Sequence, residues 1–280
     1  MSVETVPRIA HFVWGFAHSA EPFHLVHYLA IASCLEVVKT QQVHVHCDEL
    51  PYGFYWDLIR PRVTLHRVEP VPEVSKFEYS DPWVARYSYA HHADFVRLDV
   101  LAEHGGLYAD IDTLFVAPVP DELWRGPAVI GREADVMDPA TGHARASLSN
   151  ALLMAAPGAR FIEAWREEIG DALDGSWSTH SCFLAHDLVE RMPDAVHVEP
   201  QRAFHAFEPS PGGLKRLLVE REHNLDGVYS LHLNAHLWWE EQRREFSDVH
   251  AAVIGERWVR EADSTYAVAA RPFLPQHGCF

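Results

Sequence analysis

The sequence predicts an α/β fold in which helices flank a sheet. A short apolar segment at residues 8–14 and an alternating segment at residues 42–48 predict strands, and segment 21–38 between them has its apolar residues at helical spacing. A strand, a helix and a strand in this order predict a parallel pair joined by a right-handed crossover. No repeat, linker or low-complexity tract divides the 280 residues, so we expect one domain.

The first quarter of the chain predicts three strands. They are "RIAHFVW" (8–14), "QVHVHCD" (42–48) and "RVTLHRVE" (62–69). The connection after the first strand, at Trp14 and Gly15, is expected at the carboxyl end of the sheet, where α/β proteins bind ligands. His11 has apolar strand neighbours, and we expect it to be a hydrogen-bonded core residue.

A long helix is predicted over residues 81–104. Asp81 is a suitable N-cap, Pro82 suits the first helical position, and two glycines follow the segment. Asp94 and Arg97 lie three residues apart, beside the apolar stripe of this helix. They form either a local ion pair on a solvated face or part of a binding site.

The segment "LYADIDTLFV" (107–116) predicts a strand with acidic residues on one face. Alternation places Asp110 and Asp112 on the same side, about 7 Å apart. Two like charges repel and lose hydration at the end of a sheet, so a bridging cation explains them best. Carboxylate oxygens are ligands that suit Mg²⁺ or Mn²⁺. An isolated Asp-x-Asp is weak evidence, but here it follows the predicted helix and its Gly-Gly stop.

Charge and composition narrow the class of partner. The formal net charge is −17, which disfavours nucleic acid and anionic membranes because both are polyanions. The longest apolar run, 25–38, is interrupted by His27 and Glu36 and is too short to span a bilayer. The first residues do not resemble a targeting peptide, so we expect a cytoplasmic protein without a transmembrane segment. The cysteines lack metal-site or framework spacing and are expected to be reduced: Cys34, Cys47, Cys182 and Cys279.

Residues 94–112, "DFVRLDVLAEHGGLYADID", resemble the hallmark of DXD-containing sugar transferases. This family is related to fungal initiating α-mannosyltransferases and to the glucosylating domain of large clostridial toxins. Its hallmark is Asp-x-x-Arg on a helix, followed by Gly-Gly-x-Tyr-x-Asp-x-Asp. "PRIAHFVWG" (7–15) also resembles the opening strand of the family. The resemblance is specific over the first half of the chain.

The resemblance implies a GT-A fold, which is a Rossmann-like mixed sheet flanked by helices. Residues 1–120 would form the nucleotide-sugar-binding half and 121–280 the acceptor-side half. The family implies a nucleotide-sugar donor, Mn²⁺ or Mg²⁺ on the diphosphate, and transfer with retention. A UDP-sugar is favoured, and GDP-mannose is the alternative.

The resemblance also assigns roles by position. Trp14 would stack on the base of the donor, unless it is a core aromatic at a strand end. Asp94 and Arg97 would hydrogen-bond the sugar and its phosphate, Asp110 would contact sugar or ribose, and Asp112 would bind the metal. These four charged residues are the expected catalytic set, and the expected donor-binding set also includes Tyr108.

Two later segments carry further candidates. "LSNALLMAAPGARFIEAW" (148–165) resembles a strand and helix of the family, with Arg160 in place of its histidine. Asn150 in this segment is expected either to face substrate hydroxyls or to cap a loop. "PSPGGLKRL" (209–217) reads as a solvated helix start, with a mobile loop that meets the diphosphate as the alternative.

A third candidate segment is "SLHLNAHLWWE" (230–240), where the family has a His or Ser followed closely by Trp. In an extended segment, His232 and His236 would lie on the same side. We expect His236 as the third metal ligand and Trp238 as a donor contact, although Trp239 is an alternative lid residue.

The leading hypothesis is therefore a metal-dependent retaining glycosyltransferase that acts on an acceptor hydroxyl. A saccharide, a small natural product and a protein side chain are all open as acceptors. Retention without a recognisable nucleophile suggests that the acceptor proton passes to the leaving phosphate. A metal-assisted hydrolase of a nucleotide sugar and a non-catalytic nucleotide- or saccharide-binding module are the alternatives.

Overall fold

The central sheet contains seven strands. A computed structural model of the chain describes residues 5–16, 21–137 and 141–276. The sheet strands are β1 (Ile9–Trp14), β2 (Gln42–Cys47), β3 (Thr64–Arg67), β4 (Gly106–Ala109), β6 (Ala128–Arg132), β9 (Leu148–Ala155) and β10 (His197–Glu199). Two shorter pairs stand apart from it: β5 (Thr113–Phe115) with β11 (Ser230–His232), and β7 (Val136–Met137) with β8 (Ala144–Arg145).

The strand order is β10-β6-β9-β4-β1-β2-β3. β1 is parallel to β2 and β4, whereas β9 is antiparallel to both of its neighbours, β4 and β6. The carboxyl ends of β1, β4 and β6 and the start of β9 therefore lie at one edge of the sheet. The predicted parallel opening pair and the predicted mixed α/β class are confirmed, in agreement with the GT-A expectation.

Helices cover both faces of this sheet. The longer ones are α1 (Leu25–Ser33), α5 (Tyr89–His104), α6 (Arg160–Glu168), α7 (Leu184–Arg191) and α9 (Pro211–Leu218). The shorter ones are α2 (Phe54–Ile59), α3 (Pro72–Ser75), α4 (Pro82–Arg86), α8 (Gln201–Phe204), α10 (Glu256–Glu261) and α11 (Thr265–Ala270). Within the described ranges, no helix combines the length and the hydropathy needed to cross a membrane.

Alternation along the strands divides the core between the two faces of the sheet. Leu107 and Met154 belong to one buried cluster, and their neighbours Tyr108 and Leu153 belong to the other. Both clusters are continuous with helices, so the central strands are buried on both sides. Sites for polar ligands are thereby restricted to the ends of the strands.

Several predicted elements are confirmed with shifted bounds. The predicted helix over 81–104 is divided into α4 and α5, and Asp81 caps the first of them by accepting a bond from Trp83 N–H at 2.8 Å. Gly105 ends α5 with φ of 63°, a conformation that glycine adopts without steric cost. The strand and helix predicted over 148–165 are β9 and α6.

The prediction of a single strand over 107–116 is wrong. β4 ends at Ala109, and the chain then turns, with the N–H of Thr113 donating to the carbonyl of Asp110 at 3.0 Å. β5 begins after this turn and pairs with β11 outside the central sheet. Because β4 and β5 have different partners, Asp110 and Asp112 lie in a turn and do not alternate along one strand.

Three smaller predictions concern His11, the segment 209–217 and the cysteines. His11 is a core histidine, as expected: it is fully buried, 3.0 Å from His46 Nε2 and 3.0 Å from the carbonyl oxygen of Gly105. The segment 209–217 starts helix α9, whose Ser210 cap accepts from Gly213 N–H. Cys34 and Cys47 are buried free thiols and Cys182 a partly buried one, whereas Cys279 lies outside the described residues.

Candidate active site

Arg97 joins three segments at the carboxyl edge of the sheet. Its side chain is 3% exposed, and its guanidinium lies 2.9 Å from Asp94 Oδ1 and 3.3 Å from Asp110 Oδ1. It also donates to the carbonyl of Asn150 on β9 and lies over the ring of Tyr108, 4.6 Å from the centroid. The pair of Asp94 and Arg97 is thus a buried network and not an ion pair on a solvated face.

Asp94 is held by three donors. Its Oδ1 accepts from Asn150 Nδ2 at 2.7 Å and from Arg97, and its Oδ2 lies 3.0 Å from His180 Nε2. Burial acts to raise the pKa of Asp94, but Arg97 and His180 outweigh it and keep the pKa below its usual value. Asp94 is therefore an oriented anion with one oxygen that still has room for a further hydrogen bond.

A second histidine stands behind His180. The rings of His91 and His180 lie 4.3 Å apart, edge to face, and His91 Nδ1 is 2.8 Å from the hydroxyl of Tyr79. With Asp94 the two histidines bring three possible metal ligands within 4.8 Å of one another. The guanidinium of Arg97, 2.9 Å from Asp94, would repel a cation there, so we interpret both histidines as supports for the carboxylate.

Asp110, Asp112 and His232 form the other group of ligand atoms within 4.8 Å. His232, at the end of β11, has Nε2 3.3 Å from Asp112 Oδ1 and 3.7 Å from Asp110 Oδ2. Asp112 Oδ2 accepts from the N–H of Ala235 at 2.8 Å, and Asp110 Oδ1 accepts from the hydroxyl of Tyr108 at 2.8 Å. The pairing of β5 with β11 brings the three side chains together.

Asp110, Asp112 and His232 shift one another's pKa values. Burial and the neighbouring Asp112 raise the pKa of Asp110, although Arg97 and His232 act in the opposite direction. Burial also acts to raise the pKa of Asp112, but His232 and the N–H of Ala235 lower it to about 2. Burial lowers the pKa of His232, yet the two carboxylates outweigh this effect and raise it. Positive charge is thus favoured between the carboxylates, and two carboxylates with an imidazole fit Mn²⁺ or Mg²⁺.

His236 and Trp238 do not lie where the sequence predicted them. Asn234 has a left-handed backbone with φ of 50° and is followed by a 3₁₀ turn, Ala235–Leu237, so the expected extended register ends at His232. His236 instead packs 4.9 Å from Trp177, ring centroid to centroid. Trp238 is completely buried and donates its indole N–H to the carbonyl of Leu233 at 2.6 Å. Trp238 is therefore not accessible to a nucleotide sugar in this conformation.

The alternative residue, Trp239, lies in an aromatic group with Trp14. Trp14 is partly exposed at the end of β1 and contacts His27, whose ring is 4.7 Å away. His27 stacks in turn on Trp239 at 5.2 Å. Asp112 acts electrostatically on His27, which places this aromatic group beside the acidic turn.

Tyr108 and Arg97, which were expected to bind the donor, are both buried against other residues of the chain. Tyr108 is 1% exposed, with its hydroxyl on Asp110 and its face under the guanidinium of Arg97.

The two cations of segment 209–217 have acidic partners: Lys215 pairs with Glu220, and Arg216 pairs with Glu222. These two cations are thus occupied on the surface of α9.

Three further residues near the site were not predicted from sequence: Glu133, His180 and Cys182. Glu133 follows β6 directly, and its carboxylate accepts a hydrogen bond from the hydroxyl of Ser147. The apolar run that precedes Glu133, "PAVIG", was the available signal, since it predicts a strand with an acidic residue near its end. His180 and Cys182 lie in a π-helical turn, Thr179–Phe183, which is too short to give a periodic signal in the sequence.

Comparisons with known proteins found similarity to glycosyltransferases. Residues 28–131 match the model of a glycosyltransferase sugar-binding region containing a DXD motif. Glucan organizing enzyme 1 of Cryptococcus neoformans var. grubii is 29% identical over 278 residues, which is 96% of this chain and 71% of that protein. Uncharacterized glycosyltransferase L373 of Acanthamoeba polyphaga mimivirus is 31% identical over 125 residues, 43% of this chain and 41% of that protein. The solved structure of PaToxG glycosyltransferase is similar over 69% of this chain and 72% of its own, with 16% identity and a TM-score of 0.49.

Proposed function

We propose that the chain is a metal-dependent retaining glycosyltransferase, since residues 28–131 match the sugar-binding region of glycosyltransferases that contain a DXD motif. It would move a sugar from a nucleotide diphosphate to an acceptor hydroxyl. The observation that carries the proposal is the convergence of Asp110, Asp112 and His232 beside the oriented carboxylate of Asp94.

Asp110, Asp112 and His232 are the residues that would hold Mn²⁺ or Mg²⁺. A bound divalent ion would neutralise the negative charge on the departing diphosphate. Asp112 is the best-placed ligand, since its low pKa keeps it ionised and its second oxygen is fixed by the Ala235 N–H. His232 replaces His236 in this proposal because the structure places His232 between the carboxylates.

Asp94 would accept a hydrogen bond from a hydroxyl of the donor sugar. Arg97 and Asn150 would keep Asp94 oriented, because both contact its Oδ1 while Oδ2 retains a free position. The guanidinium of Arg97 contacts Asp94, Asp110 and the carbonyl of Asn150. We therefore propose that Arg97 orients the two carboxylates and does not bind the donor directly. Tyr108 supports Asp110 in the same way.

Trp14 would stack on the base of the nucleotide. It is the partly exposed aromatic at the end of β1, on the same edge of the sheet as the acidic turn. Base stacking on an aromatic ring contributes about 1 to 3 kcal/mol per base. Trp239 would close the aromatic group from the C-terminal side. A UDP-sugar is the favoured donor and GDP-mannose the alternative, and the saccharide, natural-product and protein acceptors stay open.

The test is a panel of nucleotide sugars with Mn²⁺. We expect one donor to raise the melting temperature in the presence of Mn²⁺ and to be consumed when a suitable acceptor is present. The Asp112→Asn variant should lose both the Mn²⁺-dependent stabilisation and turnover. Consumption of the donor at an equal rate with and without every acceptor would favour the hydrolase. Binding without any consumption would favour a non-catalytic module. The expected cytoplasmic location stays a prediction.

A further inference from the structure

Glu133 lies at the same edge of the sheet as the candidate active site. β6 is antiparallel to β9, and β9 is antiparallel to β4, so β6 and β4 run in the same direction. Glu133 follows the last residue of β6, and Asp110 follows the last residue of β4. The two carboxylates therefore emerge at corresponding ends of strands that β9 separates.

The carboxylate of Glu133 is enclosed by neutral donors. The hydroxyl of Ser147 donates to its Oε1, and the hydroxyl of Ser149 and the thiol of Cys182 are also within hydrogen-bonding reach. Both serines are buried, at 1% and 3% exposure. Within the described part of the chain, Glu133 has no ion pair with an arginine or lysine. Burial is the largest influence on this group and raises its pKa.

Such an arrangement is costly unless a positive charge is supplied. A buried carboxylate without a cationic partner loses hydration that hydrogen bonds from neutral groups restore only in part. Asp94, at the same edge, has Arg97 as its partner, so the fold itself can provide one. The missing partner of Glu133 is therefore expected to come from the substrate.

Two neighbours locate Glu133 within the site. The thiol of Cys182 lies near both Glu133 and Asp94, which is the proposed sugar-binding residue. On the other side, the charge of Glu133 acts on His232, which is a proposed metal ligand. Glu133 is thus within electrostatic reach of residues proposed for the sugar and for the diphosphate. The anomeric carbon is the atom of a nucleotide sugar that joins these two parts.

We propose that Glu133 is a catalytic carboxylate that faces the anomeric carbon of the donor and stabilises the positive charge that develops there. This role rests on the proposed glycosyltransferase function. The bond between the anomeric carbon and the phosphate oxygen breaks, and its electron pair leaves with the diphosphate. The acceptor oxygen forms the new bond to the same carbon, and its proton passes to a leaving phosphate oxygen. Glu133 makes and breaks no bond.

The energetic reason is differential binding. In the ground state the donor carbon carries little charge, so Glu133 gains no ion-pair partner from the substrate. In the transition state the sugar ring becomes cationic, and the carboxylate then gains its partner in a site of low dielectric constant. The interaction therefore lowers the barrier without tightening the binding of the donor.

The test compares Glu133→Gln, Glu133→Ala and the control Glu199→Gln. Glu199 ends the neighbouring strand β10, is partly buried and pairs with His197, so its variant makes the same charge change away from the site. We expect Glu133→Gln to lower kcat about 10²-fold or more, by the same factor for transfer and for slow hydrolysis of the donor. Stabilisation by Mn²⁺ with the nucleoside diphosphate should match the parent, and Glu199→Gln should retain full kcat.

Added formate provides a second measurement. Formate can occupy the space left in Glu133→Ala, and we expect it to restore kcat at least about tenfold in this variant only. The assignment is overturned if Glu133→Gln retains kcat within about threefold, if only transfer is lost while hydrolysis is intact, or if formate has no effect. If the parent protein consumes no nucleotide sugar, the proposed function itself fails. An active parent with an equally active Glu133→Gln variant removes only this inference.

Discussion

The imidazole Nε2 of His232 lies 3.3 Å from a carboxylate oxygen of Asp112, although the two residues come from distant parts of the chain. The antiparallel pairing of β5 with β11 produces this contact, with Thr113 opposite His232. The same histidine also approaches Asp110 at 3.7 Å. A single strand pair therefore completes the group that we assign to the metal.

Substitution of His232 by alanine should weaken Mn²⁺ binding at least about tenfold, because one of three protein ligands is lost. His236→Ala is the matched control, since this histidine packs against Trp177 and lies outside the group. A Mn²⁺ titration of both variants, followed by melting temperature in the presence of UDP, measures the difference. Weak binding in His236→Ala together with normal binding in His232→Ala would reverse the assignment.

Substitution of Arg97 by methionine should destabilise the fold by about 3–5 kcal/mol, because Asp94 and Asp110 would be left as buried charges without their partner. Lysine at this position should not restore stability, since it lacks the planar fork that reaches several acceptors. Arg166→Met is the control: this exposed arginine pairs with Asp99, and its loss should cost about 1 kcal/mol or less. Urea unfolding of the three variants measures these values, and equal effects of Arg97→Met and Arg166→Met would contradict the buried network.

His180 is expected to act through Asp94. His180→Leu removes the donor 3.0 Å from Asp94 Oδ2 and should lower kcat/KM for the donor about 10²-fold, as the carboxylate loses its orientation. His180→Gln can place an amide N–H near the same position. The other ring nitrogen of His180 is buried without a partner, so glutamine loses no hydrogen bond there. Activity of the glutamine variant within about threefold of the parent supports a positioning role, whereas equal losses in both variants would indicate packing alone.

The stability of the fold should decrease as the pH falls from about 6.5 to about 4. Burial, as the largest cause, lowers the pKa of His11 to about 4, of His46 to about 2 and of His205 to about 3. Above pH 6.5 these groups are neutral in both states and contribute no pH dependence. Below pH 6.5 the histidines of the unfolded chain bind protons, whereas the buried histidines of the native state stay neutral. Each of them then lowers the free energy of unfolding by about 1.4 kcal/mol per pH unit.

Urea unfolding between pH 7.5 and 4.5 measures this dependence. His46→Leu should reduce its slope by about one proton, and His223→Leu, at an exposed position outside the imidazole cluster, is the control. An identical slope for His46→Leu and the parent would show that the buried histidines are not responsible. The imidazole cluster across β1, β2 and β3 would then not contribute to the loss of stability at low pH.

Local patterns were sufficient for much of the fold and part of the site. The apolar segment 8–14 and the alternation in residues 42–48 predicted a parallel pair, and Gly105 predicted the end of α5, because these signals lie within a few residues of the structure they determine. Asp94, Arg97 and Asp112 were identified for the same reason. Their spacing is a property of one helix and the turn that follows it.

The tertiary structure alone decided which residues complete the site. Alternation continued through 107–116 in the sequence, yet the chain turns at Asp110 because β4 pairs with β9 and β5 pairs with β11. The left-handed backbone of Asn234 ends the extended segment, so His232 lies beside the two aspartates and His236 does not. Glu133 lies at the same end of the sheet because β6 is antiparallel to β9. Contacts of this kind depend on pairing between strands far apart in the chain, and the free energy of such pairing comes from the whole core.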